Sequence, residues 1–531
     1  MSEPAIIPGG GVLRFWLSDR RGPTIVRALL VLLFLALFFA TLLLPGTRVF
    51  TNDGFYHIKM AYLLWSESPA GAMRWLPFTI GKLGVNHNYL FHWLLVPFTF
   101  GHLFDGLRLA AIFLATLSVF SIYLFLLARG VRWPMIWILF FLAVGNRPLY
   151  RLLMVRAFAV SVPLFLLAIE MVWREKLYGV ALAGFLAIEA YVAGVYILVI
   201  VGALLVVRAL DERRFAWKLA LAALAGVACG LLLHPQFPRN LTFVATMLVA
   251  KLPVSGVARP LEWMTDATWR SVLHFWPFWT AALLTLIHAI AARRRISGDV
   301  WGAGIVALLF FVLYLRAHRF QEYLIPFGTA ALALYWRDAA PSVATAPSVA
   351  TAPSVATAPS VATAPSGFLR QGRRASIAVS ILAVGLFALA GMRHQAVRRF
   401  IAANGRGEAV MLDLVRAMRV AEPRVGGLVF NVDWGAFSRL FFHESKRRYA
   451  TGLDPDWLRH GDPERSALLE RILRHDATLD LGRAIRERFG ARAIVGPPDA
   501  ATYLYFKRKG MIELFRSPEG FVMRVPERGS P

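Results

Sequence analysis

The sequence predicts a mainly α-helical, polytopic membrane protein with about eleven spans, followed by a small α/β domain outside the membrane. Three observations predict it. Of the 531 residues, 57% are hydrophobic and only 17% are charged, where a soluble chain usually carries about 25% charged residues. The apolar residues gather in runs long enough to cross a hydrocarbon layer of about 30 Å. After Met392 the composition turns charged and mixed, and no further apolar run follows. Runs that are apolar all round suit lipid as solvent, because a spanning helix satisfies its own backbone groups.

The net charge of +26 does not point to nucleic acid, because Lys and Arg sit mostly between the apolar runs. The single cysteine, Cys229, lies within a run, so no intramolecular disulfide forms. The first run, Thr24 to Pro45, is long for a signal segment, lacks a clear cleavage site and reads as a retained anchor.

Arg14, Arg20, Arg21 and Arg27 place residues 1–23 in the cytoplasm. Residues 46–106 then form a long first outer loop. Its apolar piece, Asn88 to Phe104, carries His92, Pro97 and His102 and is short, so it reads as interfacial or re-entrant. Further spans are expected near 107–128, 133–146, 157–173, 177–189, 190–208, 217–234, 273–292, 300–316, 320–336 and 375–392. With this count, Arg129 and Arg132, Arg174 and Lys176, Arg208, Arg213 and Arg214, Arg293 to Arg295, Arg337, Arg370, Arg373 and Arg374 all fall on the cytoplasmic side. A spanning Asn88 segment would spoil that agreement.

The membrane part therefore covers 24–337. Residues 338–374 form a cytoplasmic low-complexity linker with four Ser-Val-Ala-Thr-Ala-Pro copies at 342–365, too poor in large side chains to build a core. The last span, 375–392, leads to an α/β domain at 393–531 on the same side as the first loop. Gly427 to Asn431, Ala493 to Val495 and Phe521 to Val525 read as strands, and Glu408 to Val420 and Glu464 to Glu487 as helices.

Several segments carry candidate chemistry. In Thr51-Asn-Asp-Gly-Phe-Tyr-His57, a helix would put Asp53 and His57 on one face at the membrane surface. A carboxylate there can take a proton from a hydroxyl or hold a divalent cation beside a phosphate. Helix capping by Asn52 or Asp53 accounts equally for the acid, but not for the Tyr56-His57 pair. Arg147, Arg151 and Arg156 in the second outer loop run against the positive-inside trend. They can grip a phosphate bidentately, or they snorkel at an interface. His234-Pro-Gln-Phe-Pro-Arg239-Asn240 breaks a helix. Beyond it stand Asp266 and Glu262, a second acid facing the same compartment that either has a role in the site or is a solvated loop charge. Arg316-Ala-His318-Arg319-Phe-Gln-Glu322-Tyr323 lies between two spans, where ionisable groups are costly and often functional. His318 and Arg319 would neutralise a phosphate there and Glu322 would orient Arg319, unless the pair only ties two helices together. The Glu189-Ala-Tyr191 break carries less, and marks at least a tight outer hairpin.

Asp53-Gly-Phe-Tyr-His57, then Arg74-Trp75-Leu76-Pro77-Phe78, then Asn88-Tyr-Leu-Phe-His92 resemble the first outer loop of GT-C glycosyltransferases. The pattern is similar to the Asp-x-Tyr-Tyr-His of oligosaccharyltransferase catalytic subunits. The break at His234 is similar to the Asn-Pro-Tyr-Gly-like end of a span in related proteins. Phe430-Asn-Val-Asp433-Trp434-Gly435 retains only fragments of the Trp-Trp-Asp-Tyr-Gly motif, so peptide recognition does not carry over. The resemblance implies a GT-C-like bundle and an enzyme that moves a sugar or glycan from a polyprenyl-phosphate-type carrier to a glycan, lipid or protein acceptor. Direct displacement of the phosphate by an acceptor hydroxyl inverts the anomeric carbon, action is expected outside a bacterial-type inner or plasma membrane, and no nucleic-acid partner is expected from the placement of the basic residues. By the same resemblance Asp53 is the catalytic or metal-binding carboxylate, with Mg or Mn as the divalent cation. His57 and Glu262 join it as catalytic candidates. Arg151, Arg156, His318, Arg319, Glu322, Tyr323 and His92 are the substrate-binding candidates. The chain departs from the family where those enzymes keep an acid in the second outer loop and this one has arginines. The competing functions are a transporter or flippase of lipid-linked glycans and a non-catalytic envelope scaffold. A flippase predicts an internal repeat and midplane charges, and neither is evident.

Overall fold

The computed structural model describes residues 22–67, 73–250, 261–263, 265, 268–293, 296–339 and 366–527. Arg14, Arg20, Arg21, Asp266, Arg294, Arg295 and the repeats at 342–365 lie outside the described residues.

A helix occupies each of the eleven expected spans. Five helices are long and apolar enough to cross a membrane: Thr24–Leu43, Leu103–Ala128, Val192–Glu212, Gly298–Arg316 and Ile377–Asn404. Pro134–Ala143, Phe158–Trp173, Leu177–Ala190, Trp217–Leu233 and Trp276–Ala292 are apolar but shorter. Gln321–Ala339 completes the set and is almost wholly buried against Gly298–Arg316. The expected interfacial piece is a short helix, Tyr89–Leu95, followed by a 3-10 turn at Val96–Thr99. Pro97 has no N–H to continue the helix.

Two ends of the bundle differ in what stands between the helices. At one end, Arg129, Arg174, Arg208 and Arg337 pair with Glu170, Glu175, Glu212 and Asp299. At the other, the first loop and the irregular links between spans gather under the C-terminal domain.

That domain holds a five-stranded sheet in the order β2-β1-β3-β5-β4. The strands are β1 Leu428–Asn431, β2 Arg448–Tyr449, β3 Ala493–Gly496, β4 Ile512–Ser517 and β5 Gly520–Arg524. β2, β1 and β3 run parallel, and β5 turns back antiparallel. β1, β3 and β5 match the three strands expected from sequence. β2 and β4 were not expected. The helix expected over Glu464 to Glu487 is broken: Pro463–Leu473 stops, His475 takes φ 57°, and Asp476 accepts from the Thr478 backbone N–H and hydroxyl in a turn.

The domain sits directly on the first loop. Tyr449 N–H donates to Trp75 O at 2.8 Å, Trp75 Nε1 donates to Ser445 O at 2.6 Å, and Lys82 Nζ donates to Gly461 O at 2.6 Å. Val49 and Arg406 form an antiparallel bridge. Tyr56, wholly buried, packs against Phe437 and Phe441. Burying each such ring contributes roughly 1.5–3 kcal/mol. The domain and bundle therefore share one apolar core, and the loop is the layer between them.

Candidate active site

The first loop forms a helix, Asp53–Ser66, beginning at the acid. Neither Asn52 nor Asp53 caps it. Thr51 Oγ1 accepts from Gly54 N–H at 2.9 Å, and the Asn52 amide donates to Gly435 O in the domain. Asp53 is thus left with its carboxylate free for other partners, in the first turn, where the helix dipole favours a negative charge. His57 lies one turn on, and both line a cavity of about 210 Å³.

Three irregular links supply the rest of the wall. In the link that follows the helix Pro134–Ala143, the short helix Asn146–Leu152 ends and Val155 takes φ 50°. A β-branched residue rarely adopts that left-handed conformation. The turn is held by Thr51 Oγ1 donating to Met154 O at 2.5 Å, and it brings Arg156 Nη2 to 2.7 Å from Asp53 Oδ2. The 3-10 turn Leu261–Trp263 brings Glu262 to 2.5 Å from Arg156, 3.1 Å from Arg151 and 3.2 Å from Arg319. The 3-10 turn His318–Phe320, between two helices, carries Arg319. Its guanidinium lies 4.5 Å from the centre of the Trp263 ring and donates to the Tyr191 hydroxyl at 3.0 Å.

Three guanidiniums therefore meet three carboxylates, in two layers. Asp53, Arg156, Glu262 and Arg319 line the cavity, with side-chain exposures of 27%, 14%, 19% and 17%. Behind them Arg151 and Glu322 pair with each other at 7% and 2% exposure. Burial alone would raise the Glu262 carboxyl, but Arg156, Arg319 and Arg151 hold it well below the usual carboxylate range.

Several assignments change. Glu322 is taken by Arg151, while Arg319 pairs with Glu262. Arg151, Glu322, His92 and His318 are not part of the cavity wall. His92 is fully buried and lies behind His57, with His57 Nδ1 and His92 Nε2 2.9 Å apart. Asp53, His57, Arg156, Glu262, Arg319 and Tyr323 do come together around one space. The wall also includes Asn88, which opens the Asn88–His92 segment singled out in the sequence, and residues that were not expected there: His87 of the first loop, Tyr196, and Leu453, Asp454 and Trp457 from the C-terminal domain.

The donor set does not fit a resident divalent cation. Among the described residues, no group of three or more His, Cys, Asp and Glu side chains is placed to hold one. Each carboxylate of the cluster already faces a guanidinium.

No protein-family model matches the sequence, and no curated protein matches it. Solved structures do. ArnT from Cupriavidus metallidurans in the apo state aligns with a TM-score of 0.53 at 15% identity, covering 95% of this chain and 99% of that one. The same protein bound to undecaprenyl phosphate aligns at 0.54 and 14% identity, over 96% and 99%. The Archaeoglobus fulgidus oligosaccharyltransferase, tethered to an acceptor peptide containing the NVT sequon, aligns at 0.53 and 14% identity, over 97% and 75%. Over 95–97% of its length, from its first helix through its C-terminal sheet, the chain has the same fold as these structures.

Proposed function

We propose that this protein transfers a sugar or glycan from a polyprenyl-phosphate-type lipid to an acceptor at the outer face of the membrane, with inversion at the anomeric carbon. One observation carries the reading: a single cavity joins a partly exposed carboxylate, Asp53, to two partly exposed guanidiniums, Arg156 and Arg319, at the end of the bundle that bears the C-terminal domain. The same fold in a structure bound to undecaprenyl phosphate supports such a donor.

The chemistry follows from that placement. The acceptor hydroxyl attacks the anomeric carbon from the face opposite the phosphate, and the C–O bond to the phosphate breaks. The leaving oxygen takes the electron pair and gathers negative charge. Arg156 and Arg319 are fixed donors for that charge, in a site where solvent competes weakly. An incoming phosphate competes with Glu262 for both of them, so Glu262 holds the guanidiniums in place until the donor arrives. Asp53 faces the acceptor and orients its hydroxyl. The aromatic wall of Tyr191, Tyr196, Trp263 and Trp457 offers faces for a sugar ring. Nucleotide sugars are cytoplasmic, so a site on the outer side requires a lipid-borne donor.

The test is transfer from a panel of radiolabelled undecaprenyl-phosphate sugars, with wild type beside Asp53→Asn. Transfer by the wild type and its loss in the variant are expected. No transfer from any donor, or an unchanged variant, overturns the reading. A periplasmic reporter fused after residue 527 should be active, and an inactive one would overturn the sidedness.

A further inference from the structure

The first loop carries a chain of imidazoles whose proton positions follow from geometry when the rings are neutral. The Asn88 backbone N–H donates to Asn86 Oδ1 at 3.4 Å, and His92 Nδ1 lies 2.7 Å from the same oxygen. With Asn86 Oδ1 the acceptor of that backbone N–H, His92 Nδ1 carries a proton and donates to the same oxygen. A neutral imidazole has one N–H, so His92 Nε2 is a bare acceptor. His57 Nδ1 lies 2.9 Å from it and must donate in turn. His57 Nε2 is then an unprotonated lone pair, on the ring nitrogen left for the cavity that His57 lines. The His57 ring is held by Phe91, edge-on at 5.1 Å, and by Tyr56. Turning it over would put a C–H against His92. The loop itself is pinned from the far side by His234 and Gln236, which bond the Asn86 backbone.

We propose that His57 Nε2 takes the proton of the acceptor hydroxyl, and that His92 and Asn86 are positioning residues that fix its tautomer. This rests on the transfer reading above and names the proton's destination within it. As the new bond from the acceptor oxygen to the anomeric carbon forms, the O–H bond breaks and its proton moves to His57 Nε2. The phosphate departs with the electron pair of the old bond. The imidazolium afterwards returns its proton to the released phosphate or to water. A weak base suffices, because the attacking oxygen becomes strongly acidic once it bonds to carbon.

The titratable and charged groups facing His57 are His92 and His87 from the same loop, Asp53 and Tyr56 from its own helix, and Arg156 from the link that follows the helix Pro134–Ala143. Burial first, and then His92, His87 and Arg156, push the His57 imidazole well below its ordinary value, as burial and His87 do for His92. Both rings are therefore neutral at physiological pH, as the tautomer assignment requires.

The experiment is a pH profile of transfer by wild type, His57→Gln and Asn86→Asp, at saturating undecaprenyl-phosphate sugar. Wild type should keep its activity down through pH 6.5. His57→Gln should lose about 100-fold or more in kcat, with donor KM within about threefold, since the arginines that grip the phosphate are untouched. Asn86→Asp places a carboxylate on the His92 Nδ1–H. That favours the protonated form of the chain and moves the acid limb to higher pH, which a merely structural role would not do. Near-wild-type kcat in His57→Gln, or an unmoved acid limb in Asn86→Asp, overturns the proposal. If wild type uses no donor in the panel, the transfer reading fails separately. Nitrogen NMR of histidine-labelled protein then still decides the tautomer, using the signals that shift in Asn86→Asp. A protonated Nε2 on His57 overturns the assignment, including in the event that His57→Gln does not fold.

Discussion

The two ends of the bundle each carry arginines paired with acids, and they are built differently. At the end away from the C-terminal domain, two of the pairs are one helical turn apart, Arg174 with Glu170 and Arg208 with Glu212, and Arg129 closes on Glu170 and Asp299. Those residues sit in or beside the last or first turns of regular helices. At the other end, Asp53, Arg156, Glu262 and Arg319 each sit where the backbone departs from a regular helix: a helix start, a left-handed Val155, and two 3-10 turns. Charges on helix ends tie neighbouring helices together. Charges on broken backbone converge on an enclosed space, and irregular backbone at this depth is tolerated where it lines a cavity. Ion pairing alone does not distinguish a structural cluster from a reactive one. The local backbone does.

The largest expected effect separates the two ends directly. Asp53→Asn should reduce transfer by about 100-fold or more, while Asp299→Asn should leave transfer unchanged and lower the melting temperature. Comparable losses of transfer in both would erase the distinction. Next in size, Arg319→Ala should weaken binding of undecaprenyl phosphate about 10- to 100-fold, the worth of a charge-assisted hydrogen bond. Arg208→Ala should leave that binding as it is, and equal weakening in both would count against a dedicated phosphate grip.

A smaller effect concerns stability. Burial first, and then His234, pushes the His87 imidazole down to about 3, from an ordinary 6.5. A depressed imidazole takes up its proton more readily in the unfolded chain, so stability is fully present above pH 6.5 and falls as the pH drops toward the folded value. The melting temperature should therefore decline between pH 7.5 and 5, and His87→Asn should flatten that slope. An unchanged slope in the variant would remove His87 as a cause. The smallest effect is expected from chelation. EDTA should change the rate less than about twofold, since guanidiniums already oppose each acid. Loss of activity restored by Mg or Mn would show that the arginines give way to a cation.

Much of this was legible in the chain. The apolar runs place the helices, and the four-residue spacing of Asp53 and His57 puts both on the cavity face. The arginine-rich links around Arg156 and Arg319 stand out in the sequence between apolar runs, and both reach the cavity. What cannot be read is who pairs with whom. Arg151 and Glu322 are 171 positions apart, and Glu322 was assigned to its near neighbour Arg319 because helical spacing is the only distance a sequence displays. β2 is two residues long and β4 only half-buried, so neither shows a strand's alternation. Trp457 reaches the cavity through tertiary docking and lies in a stretch with ordinary capping signals, Asp454 accepting from the Asp456 N–H.

The last long helix, Ser366–Asn404, has 39 residues, about 58 Å at 1.5 Å per residue, roughly twice the hydrocarbon thickness. It works as a mast. Its C-terminal end delivers the chain to the sheet domain, whose Trp457 lines the chamber. Adding one turn would hoist the domain by about 5 Å and strain the strut from Lys82 to Gly461. The helix that leads to the chamber's roof contributes no residue of its own to the wall.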